Sequence, residues 1–147
     1  MRVKEIMTQD PTCCSPTTPL VEVAQLMVRD DCGCIPVVDE KGLPLGTITD
    51  RDITCRVVAQ RKDPAELLAR DCMTASCVVV SLEATVEDCC DLMEENQIRR
   101  VVVIDASGRC CGIVSQADFA TEAQAWTGEI VQAISRPTET ASTVQIH

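Results

Sequence analysis

An ungapped shift of 66 positions lays residues 6–54 of this 147-residue chain onto residues 72–120. Met7 and Thr8 fall on Met73 and Thr74, Ser15 on Ser81, Leu26 and Met27 on Leu92 and Met93. Val37 falls on Val103, Asp39 on Asp105, Gly42 on Gly108, Gly46 on Gly112 and Asp52 on Asp118. A unit of this size used only twice does not suit an open solenoid, which needs about three or more stacked repeats to bury its faces. The arrangement left is two similar units closing against each other about a pseudo-twofold axis, with paired clefts between them.

Each copy divides the same way. Residues 12–15 and 78–81 are short apolar stretches with strand character. Helical periodicity follows: Leu20, Val23, Ala24, Met27 and Val28 in the first copy, Val86, Cys89, Cys90 and Met93 in the second. Thr18-Pro19 marks one helix start, and Thr85 with Asp88 three residues on marks the other. Two β-rich runs come next, at 35–39 and 45–49, joined by a turn at Gly42; the second copy has 101–105 and 111–115 with Gly108. A closing helix is expected over 50–60 and over 116–124. The fold class is therefore α/β (α+β), a β-α-β-β-α unit used twice. Repeat one takes residues 1–60, a polar linker with Pro64 takes 61–66, and repeat two takes 67–126. A short packing helix over 127–136 and a disordered tail over 137–147 complete the expectation.

Composition narrows the function classes. Apolar residues make up 46% of the chain but aromatics only 1%, so the cores rest on aliphatic residues, Met and Cys. A net charge of −10 repels phosphate backbones and argues against nucleic acid. No apolar run approaches the roughly 20 residues of a spanning helix, and residues 1–5 do not resemble a signal peptide. The expectation is a cytoplasmic protein with no membrane role. The eleven cysteines mostly align with aliphatic residues of the other copy: Cys13 and Cys14 with Val79 and Val80, Cys89 and Cys90 with Val23 and Ala24, Cys32 with Ile98, Cys72 with Ile6, Cys111 with Leu45. That is how free cysteine behaves as a small buried hydrophobe. The lone histidine, His147, lies in the tail, so Ser-His and Cys-His nucleophilic pairs are unavailable. The chain reads as no enzyme.

The segments 46–52 and 112–118 both read Gly, two strand residues, Thr or Ser, two residues, Asp. Thr49 with Asp52, and Ser115 with Asp118, have the spacing of a helix N-terminal cap. The same geometry offers free N–H groups and a hydroxyl to phosphate, and an Asp to a ribose diol. Both readings stand at this level. With Met-Thr at each start, an Ile/Val-rich strand ending in Asp, and this glycine-to-Asp motif, residues 3–125 resemble a tandem pair of CBS domains (a Bateman module) in a stand-alone CBS-domain protein. The resemblance implies adenosine-containing ligands in the clefts: AMP, ADP or ATP, with S-adenosylmethionine or NAD as alternatives.

The same resemblance makes Asp52 and Asp118 ribose ligands with Thr49 and Ser115 beside them, and places Thr12, Cys34, Ile35, Thr47, Val78, Val101 and Ile113 around the ligand. Segment 98–101, Ile-Arg-Arg-Val, is similar to an Ile-His-Arg-Leu segment whose basic pair binds nucleotide phosphate in family members. That pairs Arg99 and Arg100 with Thr49 and Asp52, and leaves Ser115 and Asp118 facing small Gly33 and Cys34. The other reading of the two arginines is a solvated strand edge. The family also implies a homodimer, a disc of four repeats, and an effector protein the sequence does not identify. Two competing functions are a cysteine-based redox or metal-responsive module, centred on Cys32-Gly33-Cys34 or Cys110-Cys111, and a purely structural oligomerisation module.

Overall fold

The computed structural model describes residues 1–75 and 77–122, with side chains through Phe119. The helix expected over 127–136, the tail and the last turn of the closing helix lie outside the described residues. The order of elements is β1 (Thr8–Gln9), α1 (Leu20–Asp30), β2 (Cys34–Val38), β3 (Pro44–Thr49) and α2 (Asp50–Ile53). These are followed by α3 (Ala69–Cys72), β4 (Thr74–Ala75), β5 (Val79–Ser81), α4 (Val86–Asn96), β6 (Arg100–Ile104), β7 (Cys110–Ser115) and α5 (Gln116–Glu122). The helix after β3 is shorter than expected: beyond Ile53 it widens into a π turn over Thr54–Val58.

The periodicities explain most of these elements. In α1 the buried positions are Leu20, Val23 and Met27; in α4 they are Val86, Cys89, Cys90 and Met93, one face in each case. Thr85 caps α4 by accepting the Asp88 N–H. Both helices end on a left-handed residue, Asp31 (φ 48°) and Gln97 (φ 50°), and the next amide reaches back to Met27 or Met93 at 3.1 Å. The hairpin turns need φ of 84° at Gly42 and 83° at Gly108, where glycine carries no steric cost.

One expected strand is reduced. Residues 12–15 make only an isolated parallel bridge, Cys14 to Val37, whereas β5 pairs three residues in parallel with β6. The difference lies in Pro11 and Pro16, which flank the first stretch where the second copy has Cys77 and Leu82. Proline donates no amide to a ladder.

The sheets do not follow the repeat boundaries. One has the order β2-β3-β4 and the other β1-β7-β6-β5. Each repeat thus lends its leading strand to the sheet of the other. The exchange is symmetric to the residue: Thr8 opposes Ile113 and Gln9 opposes Gly112, as Thr74 opposes Thr47 and Ala75 opposes Gly46. Backbone contacts repeat it, Val3 donating to the Ala84 carbonyl (2.9 Å) and Ala69 to that of Thr18 (2.8 Å). The cores are mixed accordingly. Val3 and Ile6 are buried with Val80, Met93, Val103 and Phe119, and Ala69 and Cys72 are buried with Leu20, Val23, Ile35 and Ile48.

Candidate functional site

At the end of β3 the chain turns directly into α2. The Thr49 hydroxyl accepts the Asp52 N–H at 3.1 Å, and Asp52 Oδ2 accepts the Thr49 N–H at 2.9 Å. In the second copy, Asp118 Oδ2 accepts the Ser115 N–H at 2.7 Å and the Ser115 hydroxyl at 3.3 Å. The first motif is therefore a reciprocal cap, whereas in the second the Ser115 hydroxyl donates to Asp118 instead of accepting a helix amide; in both, a single carboxylate oxygen holds the backbone N–H. Asp118 Oδ1 has no hydrogen-bond partner among the described residues. Asp52 Oδ1 has the Arg56 guanidinium at 3.7 Å, with the Asp52 side chain 15% exposed. Arg56 also donates to the carbonyls of Cys72 and Met73, both at 3.0 Å, and so ties the helix after β3 to the exchanged segment. Sequence reasoning missed Arg56, although its i,i+4 spacing from Asp52 was the available signal.

The structure gathers several of the expected residues around the starts of β2 and β6. Cys34 opposes Thr49 and Arg100 opposes Ser115. Just before each strand, Gly33 accepts the Asp50 N–H at 3.1 Å and Arg99 accepts that of Gln116 at 3.2 Å through their carbonyls. Burial pushes the Cys34 thiol up to about 11; the Arg100 cation opposes the shift, and Asp52, Cys77 and Cys32 add to it. Cys34 thus lies within electrostatic reach of Arg100 and Asp52, from different repeats. Arg99 and Arg100 are exposed and make no ion pair among the described residues. One refinement concerns charge. Opposed residues on neighbouring strands share a face, so Arg100 stands beside Ser115 as well as within electrostatic reach of Cys34.

The remaining expected residues separate by burial. Thr47, Val78 and Ile113 are half-buried. Thr47 alternates with core-facing Gly46 and Ile48, and so shares the face of Thr49. Thr12 is half-buried and its hydroxyl is bound to Asp30. Ile35 and Val101 are 0% and 2% exposed and belong to the two cores, so their side chains do not face a cleft and only their backbone could meet a ligand. Gln116 Nε2 is buried with no hydrogen-bond partner among the described residues, another feature the sequence did not signal.

A cavity of about 420 Å³ lies elsewhere, between the hairpin turns at the opposite strand ends, lined by Lys41, Leu43, Ser107 and Arg109. Three of its four lining residues, Lys41, Ser107 and Arg109, are exposed, and none belongs to the repeated Asp motifs. Among the described residues no group of three or more His, Cys, Asp or Glu is arranged to hold a metal ion. No described helix is long and apolar enough to cross a membrane.

The CBS-domain family model matches residues 3–58 and 69–124. A Methanopyrus kandleri protein, MK0525, is 37% identical over 117 residues, 80% of this chain and 60% of that protein; the chain thus spans somewhat over half the length of that relative. Hypoxic response protein 1 of Mycobacterium tuberculosis is 34% identical over 117 residues, 80% of this chain and 81% of its own. The crystal structure of Hypoxic Response Protein I with two coordinated zinc ions superposes with a TM-score of 0.75 at 33% identity, covering 83% of this chain and 98% of that one. The CBS domain pair of protein MJ0100, in complex with 5'-methylthioadenosine and S-adenosyl-L-methionine, gives 0.73 at 26% identity, covering 82% and 98%. Two matched repeats, an exchanged-strand fold and these relatives lead to one conclusion: the chain belongs to the CBS-domain family and is a tandem CBS pair.

Proposed function

We propose that this CBS pair is a regulatory module that binds an adenosine-containing ligand between its repeats and signals by a change in conformation to an effector protein, without catalysis of its own. AMP, ADP and ATP are the first candidates, S-adenosylmethionine and NAD the others. The observation that carries this reading is the division of labour within Asp52 and Asp118. Each commits Oδ2 to its helix cap, which fixes the carboxylate rotamer, and each keeps Oδ1 outside that cap. A fixed carboxylate oxygen suits a ribose hydroxyl, which needs an acceptor already in place. Arg99 and Arg100 supply planar donors for a phosphate. Thr49, Ser115, Cys34, Thr47, Thr12, Val78 and Ile113 complete the surroundings, with backbone from Ile35 and Val101. The adenosine ligands of the MJ0100 pair support the ligand class. Two such modules pairing through their helices form the homodimer we assign to the working state. A ligand switches the module only to the extent that it prefers one state of the cleft.

Thermal unfolding with AMP, ADP, ATP, NAD and S-adenosylmethionine tests the reading. A ligand at about 100 times its Kd stabilises the fold by about 2.7 kcal/mol. The shift should be lost in Asp52→Asn or Asp118→Asn, whose amide oxygen can still accept the cap. No shift with any of the five would refute the reading and leave the structural module.

A further inference from the structure

Cys13 and Cys110 are 97 residues apart in sequence, yet their Sγ atoms lie 3.9 Å apart and share a hydrogen bond. Cys13 sits in the crossover by which the chain leaves β1, on one sheet, and reaches the Cys14–Val37 bridge on the other. Cys110 opens β7, the strand against which β1 lies. The two thiols therefore face each other where the halves interlock. Both are half-buried, and so neither sealed in the core nor fully open to solvent. Secondary contacts hold them in place: the Cys13 thiol also reaches the Pro11 carbonyl at 3.3 Å, and that of Cys110 the Gly112 carbonyl at 3.9 Å. Cys77, in the other crossover, is near enough to Cys110 to interact with it electrostatically. The repeat equivalents of Cys13 and Cys110 are Val79 and Pro44, so the pair has no pseudo-symmetric mate.

We propose that Cys13 and Cys110 form a redox modification site, closed by a peroxide into a disulfide that staples the crossover of the first repeat to β7 of the second. Cys13 Sγ, as thiolate, attacks one peroxide oxygen. The O–O bond breaks, one oxygen stays as a sulfenic acid, and the other leaves as water after taking a proton. Cys110 then gives up its proton and attacks Cys13 Sγ; the S–O bond breaks and a second water leaves. The two thiols lose two electrons and two protons, and the peroxide is reduced to two waters. The 3.9 Å separation lets either sulfur resolve the sulfenic acid formed on the other, so the product is the same whichever thiol reacts first. The sulfurs must close from 3.9 Å to a bond of about 2 Å, a movement within reach of side-chain rotation and a small shift of the crossover. The site stands whether or not the clefts bind adenosine.

The test uses the full chain, reduced and then treated with hydrogen peroxide, with free thiols blocked before proteolysis without reductant. The first disulfide mapped by mass spectrometry should join Cys13 to Cys110. It should lower the intact mass by two hydrogens, raise the thermal midpoint and reverse with dithiothreitol. Cys77→Ser should keep this bond, and Cys13→Ser and Cys110→Ser should each lose it. Exposed Cys55 is the internal contrast, since reactivity governed by exposure alone would begin there. Oxidation confined to Cys55, or a first bond between Cys77 and Cys110, would overturn the proposal. Both outcomes are read on the wild-type chain, so they do not depend on any variant folding.

Discussion

The eleven cysteines of this chain differ in environment, from buried to exposed. Cys14, Cys72, Cys89 and Cys90 are buried where the other copy has Val80, Ile6, Val23 and Ala24, and they pack as small apolar residues. Burial pushes the Cys89 and Cys90 thiols up to about 12 and those of Cys14, Cys34 and Cys77 up to about 11. A native value above the ordinary 9.0 means that the unfolded chain releases the thiol proton first. The stability these thiols confer is thus complete below pH 9 and is lost as pH rises toward 11 and 12. We expect the thermal midpoint to fall across that window. The double variant Cys89→Val with Cys90→Ala, which borrows the residues of the other copy, should flatten the fall. An equally steep decline in the variant would show that other groups control alkaline unfolding.

Among the secondary elements, the short strands β1 and β4 organise the molecule out of proportion to their two residues each. Each lies against a glycine of the opposite repeat, and that contact gives the first glycine of the repeated motif its physical meaning. A Cβ on Gly46 would overlap the Thr74 carbonyl oxygen, and one on Gly112 would overlap Met7 Sδ and come within 3.1 Å of the Thr8 carbonyl oxygen. A backbone carbonyl in a ladder cannot move aside, whereas a methionine side chain can turn away. Gly46→Ala should therefore cost about 1–3 kcal/mol, the usual range for overpacking, and more than Gly112→Ala. Urea unfolding of the two variants checks the order, and equal losses would contradict it.

For the whole molecule, the exchange makes each repeat incomplete without the other. A cut at the linker would leave residues 1–66 without Ala69, Cys72 and β4, and residues 67–147 without Val3, Ile6 and β1. Fragments 1–66 and 67–147 should each lack a cooperative unfolding transition, and their mixture should regain one, measured by far-ultraviolet circular dichroism against temperature. A fragment that unfolded cooperatively by itself would show that the exchanged segments are dispensable. The interlock also bears on signalling. On the proposed reading, a ligand held between the repeats would touch two units that share their sheets.

The repeat, the two helices with their apolar faces, the glycine turns and the caps at Thr49 and Thr85 were legible in the chain itself, because they depend on spacings of a few residues and on side-chain chemistry. The aligned copies were enough to single out Asp52 and Asp118 and to assign most cysteines to aliphatic positions. Pairing over long separations was not legible. Cys13 beside Cys110, Arg56 on the Cys72 and Met73 carbonyls, Arg100 opposite Ser115 and the exchange of β1 and β4 leave no local pattern. A strand of two exposed residues has no periodicity to detect, and a hydrogen bond across 97 residues depends on how two sheets meet. Local chemistry thus determined the unit and its duplication, while the closing of one copy on the other decided which residues stand together.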